Sequence, residues 1–555
     1  VYVGLEIWVM FMQEISTHTK EIAKGSLWSL AGNITFNLIS FIYVILIARA
    51  VSQDDLGIFY LSLSIITFVS IFNNLGIRDS LSRYIPYFEG KNEINKIKVL
   101  LKSSYALVTF LALVLMIILW FSADFIGSIY QNPLLPQAIR MLSVLLVLNS
   151  LFDINLAYLR GRSDIKMMKL NQNLQNLLKL LLTFVLFHYY GASVFTLSAA
   201  FLLSMVLASL FSFISASKRV IDLPIDNVPA HARQIIWEVL PFGLMLSVIT
   251  SLDTVLMSVD RLLLGYFIDP SQSTSIIAVY TIATLLAMLC SILPSSIGNI
   301  FLPTMSRLYG KNNLEEMRSI TQTAQRWSLF LTLPVASILI SFSPQMLEIF
   351  YGNEYVSGAL VMSIFVFATL ITSIFYVFSI ALTSMKVVKL QIKILLVIVI
   401  LNIFLNILLI PTLGMTGAAI SFLISTIFSG LIFWYYIKKF LDFKAYSGFT
   451  KLLIASILTL VLVISLKPIA LNFGFILPQW EYGIALYLSK VIYLAYLGFL
   501  TCISFTFFML TVLLFKCFQN EDVILMRKVM QKIKIPEFFI SYVEELVSNG
   551  VPKPV

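Results

Sequence analysis

Four polar side chains within one apolar stretch are the residues of this sequence best placed to do chemistry. In Lys169-Leu170-Asn171-Gln172-Asn173-Leu174-Gln175-Asn176-Leu177-Leu178-Lys179, the residues Gln172, Gln175, Asn176 and Lys179 recur at i, i+3, i+4 and i+7, one stripe of a helix. Carboxamides donate to and accept from hydroxyl groups, and an ammonium group neutralises an anion. A stripe so polar cannot face hydrocarbon cheaply, so it faces either neighbouring helices or a water-filled cavity. On the first reading the amides cross-link helices and Lys179 pairs with Asp153. On the second they bind a polar, anionic ligand.

Other apolar stretches carry polar groups at the same spacing. These are Asn33, Asn37 and Ser40; Thr67, Ser70 and Asn74; Ser247, Thr250, Ser251, Thr254 and Ser258; and the pair Asn402 and Asn406. Each set either bonds between helices, at about 0.6 kcal/mol a pair, or lines a cavity. Ionisable residues inside the apolar stretches cost about 2.5–3.5 kcal/mol each at mid-bilayer. They are few: Arg140, Asp153, Lys179, Asp253, Asp260 with Arg261, and Lys490. Arg49, Arg261 and Lys490 lie near stretch ends and can instead snorkel to the interface. Asp153 and Asp253 are the ion-coupling candidates, with a structural hydrogen bond as the alternative for Asp153.

The elements that position these groups follow from composition. The chain has 555 residues, 59% hydrophobic and only 12% charged, against roughly 25% charged in a soluble domain. A spanning helix needs about 20 apolar residues, and windows of that length predict an all-α polytopic membrane protein with 14 transmembrane helices. The remaining residues leave loops too short for a soluble catalytic domain. The net charge of +10 does not form one basic face, so no nucleic-acid partner is expected. Loops after even-numbered spans carry Arg78, Arg83, Lys91, Arg160, Lys166, Lys218, Arg307, Lys311, Lys386, Lys438 and others; loops after odd-numbered spans hold only Arg49, Arg261 and Lys467. That asymmetry predicts a multi-pass protein of the cell membrane with both termini cytoplasmic. The three cysteines form no CxxC pair and the three histidines lie far apart, so neither a disulfide framework nor a metal site is expected. No GxxxxGK[ST] loop occurs, so an intrinsic ATPase motor is not expected, and no cofactor is implied.

An internal repeat of period about 220 residues organises the chain. Tyr87-Phe88-Glu89-Gly90-Lys91-Asn92 returns as Arg307-Leu308-Tyr309-Gly310-Lys311-Asn312. The stretch from Ser122 to Tyr130 returns from Ser343 to Tyr351, and Gly191-Ala192-Ser193 returns as Gly417-Ala418-Ala419. Each copy holds six spans, so the two copies enter the membrane in the same orientation, a transporter design when a site lies between them. The expected segments are a cytoplasmic N-terminal stretch (1–26), an N-lobe (27–216), a linker (217–234), a C-lobe (235–440), two further helices (441–515) and a cytoplasmic amphipathic tail (516–555). Residues 1–11, which precede Met12 and lack signal-peptide features, contribute nothing to this reading; a start at Met12 is compatible with it.

Several stretches together resemble the Wzx-like polysaccharide transporters, the oligosaccharide flippases of the multidrug/oligosaccharidyl-lipid/polysaccharide exporter superfamily. They are Ala48-Arg49-Ala50-Val51-Ser52-Gln53-Asp54-Asp55-Leu56-Gly57-Ile58-Phe59, Leu75-Gly76-Ile77 with Arg83-Tyr84, and Asp260-Arg261-Leu262-Leu263-Leu264-Gly265 with Ala278-Val279-Tyr280. Leu302-Pro303 with Ser306-Arg307 and the Gly414-Met415-Thr416-Gly417-Ala418-Ala419 turn complete the set. The family's usual glycine two residues before Tyr280 is absent here, where Ala278 stands. The resemblance implies two six-helix lobes forming a V around a central cavity, two extra C-terminal helices, and movement of a polyprenyl-diphosphate-linked oligosaccharide from the cytoplasmic to the outer leaflet. On that reading Gln172, Gln175 and Asn176 bind sugar hydroxyls and Lys179 meets the diphosphate. Arg49 and Arg261 would grip it at the outer ends of their helices, and Asn33, Asn37 and Asn74 would line the cavity. The expected partners are the lipid-linked oligosaccharide and membrane lipids, with a monomer and an association with glycan-assembly enzymes left open. The rivals are a multidrug/cation antiporter, which would need a membrane carboxylate in its cation-binding lobe, and a membrane glycosyltransferase or polymerase. The latter would need a larger external loop than this chain provides.

Overall fold

The structure, a computed structural model, describes residues 17–73, 75–221, 231–385, 387–443, 448–476 and 484–518, with single positions beyond. Asn74, residues 1–16, half of the expected linker (222–230) and most of the expected amphipathic tail lie outside the described residues.

Among the described residues every regular element is helical. The first part of the chain forms α1 (Thr17–Ala50), α2 (Gln53–Asn73), α3 (Ile77–Gly90), α4 (Ile94–Ile129), α5 (Leu135–Ser143), α6 (Leu145–Gly161), α7 (Ile165–Tyr190), α8 (Val194–Ile221) and α9 (Ala232–Phe267). Then follow α10 (Pro270–Ala287), α11 (Ile292–Gly310), α12 (Leu314–Ser341), α13 (Ser343–Phe350), α14 (Ala359–Ser384), α15 (Val388–Leu413), α16 (Met415–Leu441), α17 (Phe449–Ile476) and α18 (Ile484–Leu514). Among the described residues, eleven helices are long and apolar enough to cross a membrane, or twelve if α12 and α13, bent by 78° at their junction, count as one span. The chain is a multi-pass membrane protein. Of the 14 expected spans, the fifth forms as α7 but is not among the eleven, because its amides and lysines lower its hydropathy. The last forms as α18, of which Gly498–Leu514 is a shorter apolar helix.

The chain divides into two compact units. One comprises Ser16–Ile282 with Leu395–Ser421, and the other comprises Ala283–Ile394 and Phe422–Val555. In the first, α4 has 36 residues, roughly 54 Å at 1.5 Å per residue, so its lysine-bearing first turns reach beyond a hydrocarbon core of about 30 Å. The short α3 is amphipathic. Ile77, Leu81, Ile85 and Phe88 form its buried stripe and join Ile97, Leu100 and Leu101 of α4, Ile154, Ala157 and Tyr158 of α6, and Ile235 and Val239 of α9 in one core cluster. This cluster sets α3 against α6.

Polar contacts fix α6 and α7 more closely. The Asn155 amide of α6 donates to Ser212 Oγ of α8 at 2.9 Å and its oxygen accepts from the Tyr105 hydroxyl of α4. Asp164 caps α7 by accepting from the Met167 N–H at 3.0 Å, and its other oxygen takes the Arg219 guanidinium from the end of α8. One carboxylate thus satisfies a helix start and pins it to its neighbour. In the second unit, Phe330 of α12 packs against Phe508 of α18 and Phe518, with ring centroids 6.5 and 5.2 Å apart.

Candidate functional site

A cavity of about 510 Å³ opens within the first unit. Its polar wall is built at helical spacing from several elements: Thr67, Ser70 and Asn73 of α2, Asn149, Ser150 and Asp153 of α6, and Thr250 and Thr254 of α9. Gln172, Gln175 and Lys179 supply the α7 side, and Phe36, Ile66, Phe201 and Met205 make the wall partly apolar. Asn149 and Asp153 are one helical turn apart, and Asn155 points the other way into the α4–α8 network, so one face of α6 is structural and the other lines the cavity.

The charged lining residues are Arg78, Asp153 and Lys179. The Lys179 ammonium lies 4.3 Å from the centroid of the Tyr43 ring and 5.6 Å from that of Phe201, a cation–π seat that stabilises the charge without neutralising it. Among the described residues no carboxylate lies within 4.0 Å of it. The Lys179–Asp153 pair considered from sequence does not form. Asp153 Oδ2 instead accepts from Arg78 Nη1 at 3.2 Å.

The other sequence candidates divide. Gln172 and Gln175 line the cavity, and Gln172 also accepts from the Lys169 ammonium at 2.9 Å. Asn176 is fully buried and donates to the Phe36 carbonyl at 2.9 Å and to Ser40 Oγ at 2.5 Å, tying α7 to α1. Asn33 accepts from Lys169 at 2.7 Å in the same seam. Neither Asn33, Asn37 nor Asn176 is part of the cavity lining, and Asn74 lies outside the described residues. Arg49 is exposed at the end of α1, and Arg261 donates to the Met257 carbonyl of its own helix at 2.8 Å. Neither lines this cavity, nor does Asp253, which is exposed on α9. Asp260 is buried and accepts from Tyr280 at 2.6 Å and from Asn406 at 2.7 Å, while Asn406 also donates to Asn402 at 3.1 Å.

Sequence reasoning missed Arg78, Asn73, Asn149 and Ser150. The i, i+4 spacing of Asn149 and Asp153 was the available signal for α6. Arg78 read as one basic residue among many at a membrane boundary. Among the described residues, no group of three or more His, Cys, Asp or Glu could hold a metal ion.

Residues 45–360 match the family described as polysaccharide biosynthesis protein, and the chain belongs to that family. It is 23% identical over 411 residues to the probable flippase AglR of Haloferax volcanii, covering 73% of this chain and 81% of that protein. It is 22% identical over 440 residues to an uncharacterized membrane protein of Methanocaldococcus jannaschii, covering 77% and 85%. Its fold is similar to that of the lipid II flippase MurJ in an inward closed conformation, with a TM-score of 0.66 at 15% identity, over 87% of this chain and 98% of that one.

Proposed function

We propose that this protein is a flippase that carries a polyprenyl-diphosphate-linked oligosaccharide from the cytoplasmic to the outer leaflet by alternating access. The observation that carries the reading is the cavity, walled by amides and hydroxyls, with Lys179 as a cation that has no carboxylate within 4.0 Å among the described residues. Its lining charges are two cations and one carboxylate, a balance that favours an anionic cargo over the organic cation of an antiporter. Gln172, Gln175, Asn149 and Asn73 would exchange hydrogen bonds with sugar hydroxyls, each amide offering both donors and an acceptor. Lys179 would meet the diphosphate, whose passage across a potential of 100 mV involves about 2.3 kcal/mol per unneutralised charge. The two repeats, as lobes 27–216 and 235–440, would rock about a shared site. The test is reconstitution into vesicles with a labelled lipid-linked oligosaccharide, following its accessibility in the opposite leaflet. Flipping above protein-free vesicles is the expected result, and its absence from folded protein overturns the reading.

A further inference from the structure

We propose that Arg78 is a second anion-binding residue of the cavity and that Asp153 is its resident stand-in ligand, displaced when a phosphate group of the cargo arrives. This rests on the cargo being a diphosphate-bearing lipid. Arg78 stands in the first turn of α3, where the positive end of the helix disfavours a cation and attracts an anion. The capping residue there, Gly76, brings no side chain to bond the first-turn N–H groups. Position 78 therefore calls for an anion on two counts, and Asp153 answers with a single oxygen on Nη1 at 3.2 Å.

The answer is incomplete. A guanidinium carries five N–H donors, and the Arg78 Nε is buried without a hydrogen-bond partner among the described residues. Both side chains keep substantial exposure in the cavity, 38% for Arg78 and 43% for Asp153, and ion pairs that open to solvent hold weakly. A phosphate group presents several acceptor oxygens in the geometry that a guanidinium fork grips bidentately. It therefore outcompetes one carboxylate oxygen, and the displaced Asp153 in turn helps to expel it. Asp153 acts as a specificity and release element, and with Lys179 the cavity presents two cations to a group that carries two phosphates.

The experiment measures farnesyl diphosphate binding to the purified full-length chain in detergent by calorimetry. Asp153→Asn is expected to tighten binding about tenfold and Arg78→Gln to weaken it about tenfold, with Asp153→Asn having no further effect in the Arg78→Gln background. Unchanged or weaker binding by folded Asp153→Asn overturns the proposal. Asp153→Ser serves as a second removal, and if both variants fail to fold while Arg78→Gln folds, the carboxylate serves the fold and the proposal falls. If wild-type chain flips labelled lipid-linked oligosaccharide but neither it nor Asp153→Asn binds the diphosphate probe, this inference fails and the flippase reading stands. If the wild type flips nothing, the flippase reading itself fails.

Discussion

A Cβ atom on Gly57 would lie 1.8 Å from the carbonyl oxygen of Thr274. The Thr274 hydroxyl also donates to Asp54 Oδ1 at 2.6 Å, one turn earlier on α2, so α2 and α10 meet backbone to backbone. Glycine is the residue that allows this approach. Gly57→Ala should therefore destabilise the protein by about 1–3 kcal/mol, the usual cost of overpacking. Gly90→Ala, whose Cβ meets nothing within 4 Å, should stay within about 0.5 kcal/mol of wild type. Thermal unfolding of the two purified variants in detergent compares them directly, and a Gly57→Ala melting point equal to that of Gly90→Ala contradicts the argument.

Local chemistry made much of the fold legible. The Gly-Lys-Asn echoes at 90–92 and 310–312 form the same turn: Asn92 and Asn312 adopt left-handed φ of 59° and 55°, and the Glu93 and Asn313 N–H groups donate back to Phe88 and Leu308. Helices commonly end on a left-handed glycine or asparagine, so the pattern survives in sequence. The third echo shifts register. Gly191 turns between α7 and α8 at φ 77°, but the turning glycine between α15 and α16 is Gly414 at φ 58°, while Gly417 lies inside α16 with its Cβ position 2.3 Å from the Leu409 carbonyl oxygen. Sequence similarity tracked small residues without distinguishing a turn from a close approach.

The site was legible only in part, for a geometric reason. Spacing identifies a polar stripe but not where its edge falls: Gln175 faces the cavity and its neighbour Asn176 faces α1, about 100° apart around the helix. Which of the two meets water depends on where α1 docks, and that is a tertiary fact. The Arg78–Asp153 pair joins positions 75 residues apart, so no local pattern could have announced it.

On the proposed reading, in which Lys179 supplies the positive charge, Lys179→Ala should abolish flipping without loss of folded protein, and Lys179→Arg should retain part of it. The aromatic seat makes a second expectation. A desolvated cation–π contact contributes about 2 kcal/mol, so Tyr43→Leu should lower flipping while Tyr43→Phe, which keeps the ring, stays near wild type. Flipping by Lys179→Ala at the wild-type rate in reconstituted vesicles would remove the lysine from the site.

Orientation can be read by labelling. Ser271 is exposed at the start of α10, and Asn313 is exposed at the start of α12. Ser271→Cys keeps the backbone N–H that donates to Asp269 at 2.9 Å, so the turn should survive the change. An impermeant thiol reagent applied to intact cells should label Ser271→Cys and leave Asn313→Cys untouched until the membrane is opened. The reverse pattern inverts the topology expected from the loop charges.

In the second unit, Arg326 of α12 and Asp522 form an ion pair whose side chains are both 0% exposed, with Nη2 and Oδ1 2.8 Å apart. Trp327 Nε1 donates to the same oxygen at 2.9 Å, and the adjoining Phe330 and Phe518 rings pack 5.2 Å apart. Removing one partner of a buried pair strands the other charge, at a cost of about 3–5 kcal/mol, whereas replacing both by apolar residues of similar volume is often neutral. Asp522→Asn should therefore lower the unfolding midpoint markedly, and Arg326→Met with Asp522→Leu should recover most of the loss. Denaturant unfolding of the single and double variants in detergent measures both effects. Should the double variant be as unstable as Asp522→Asn, the pair contributes through specific bonding that apolar packing does not replace, and the stranded-charge account is wrong.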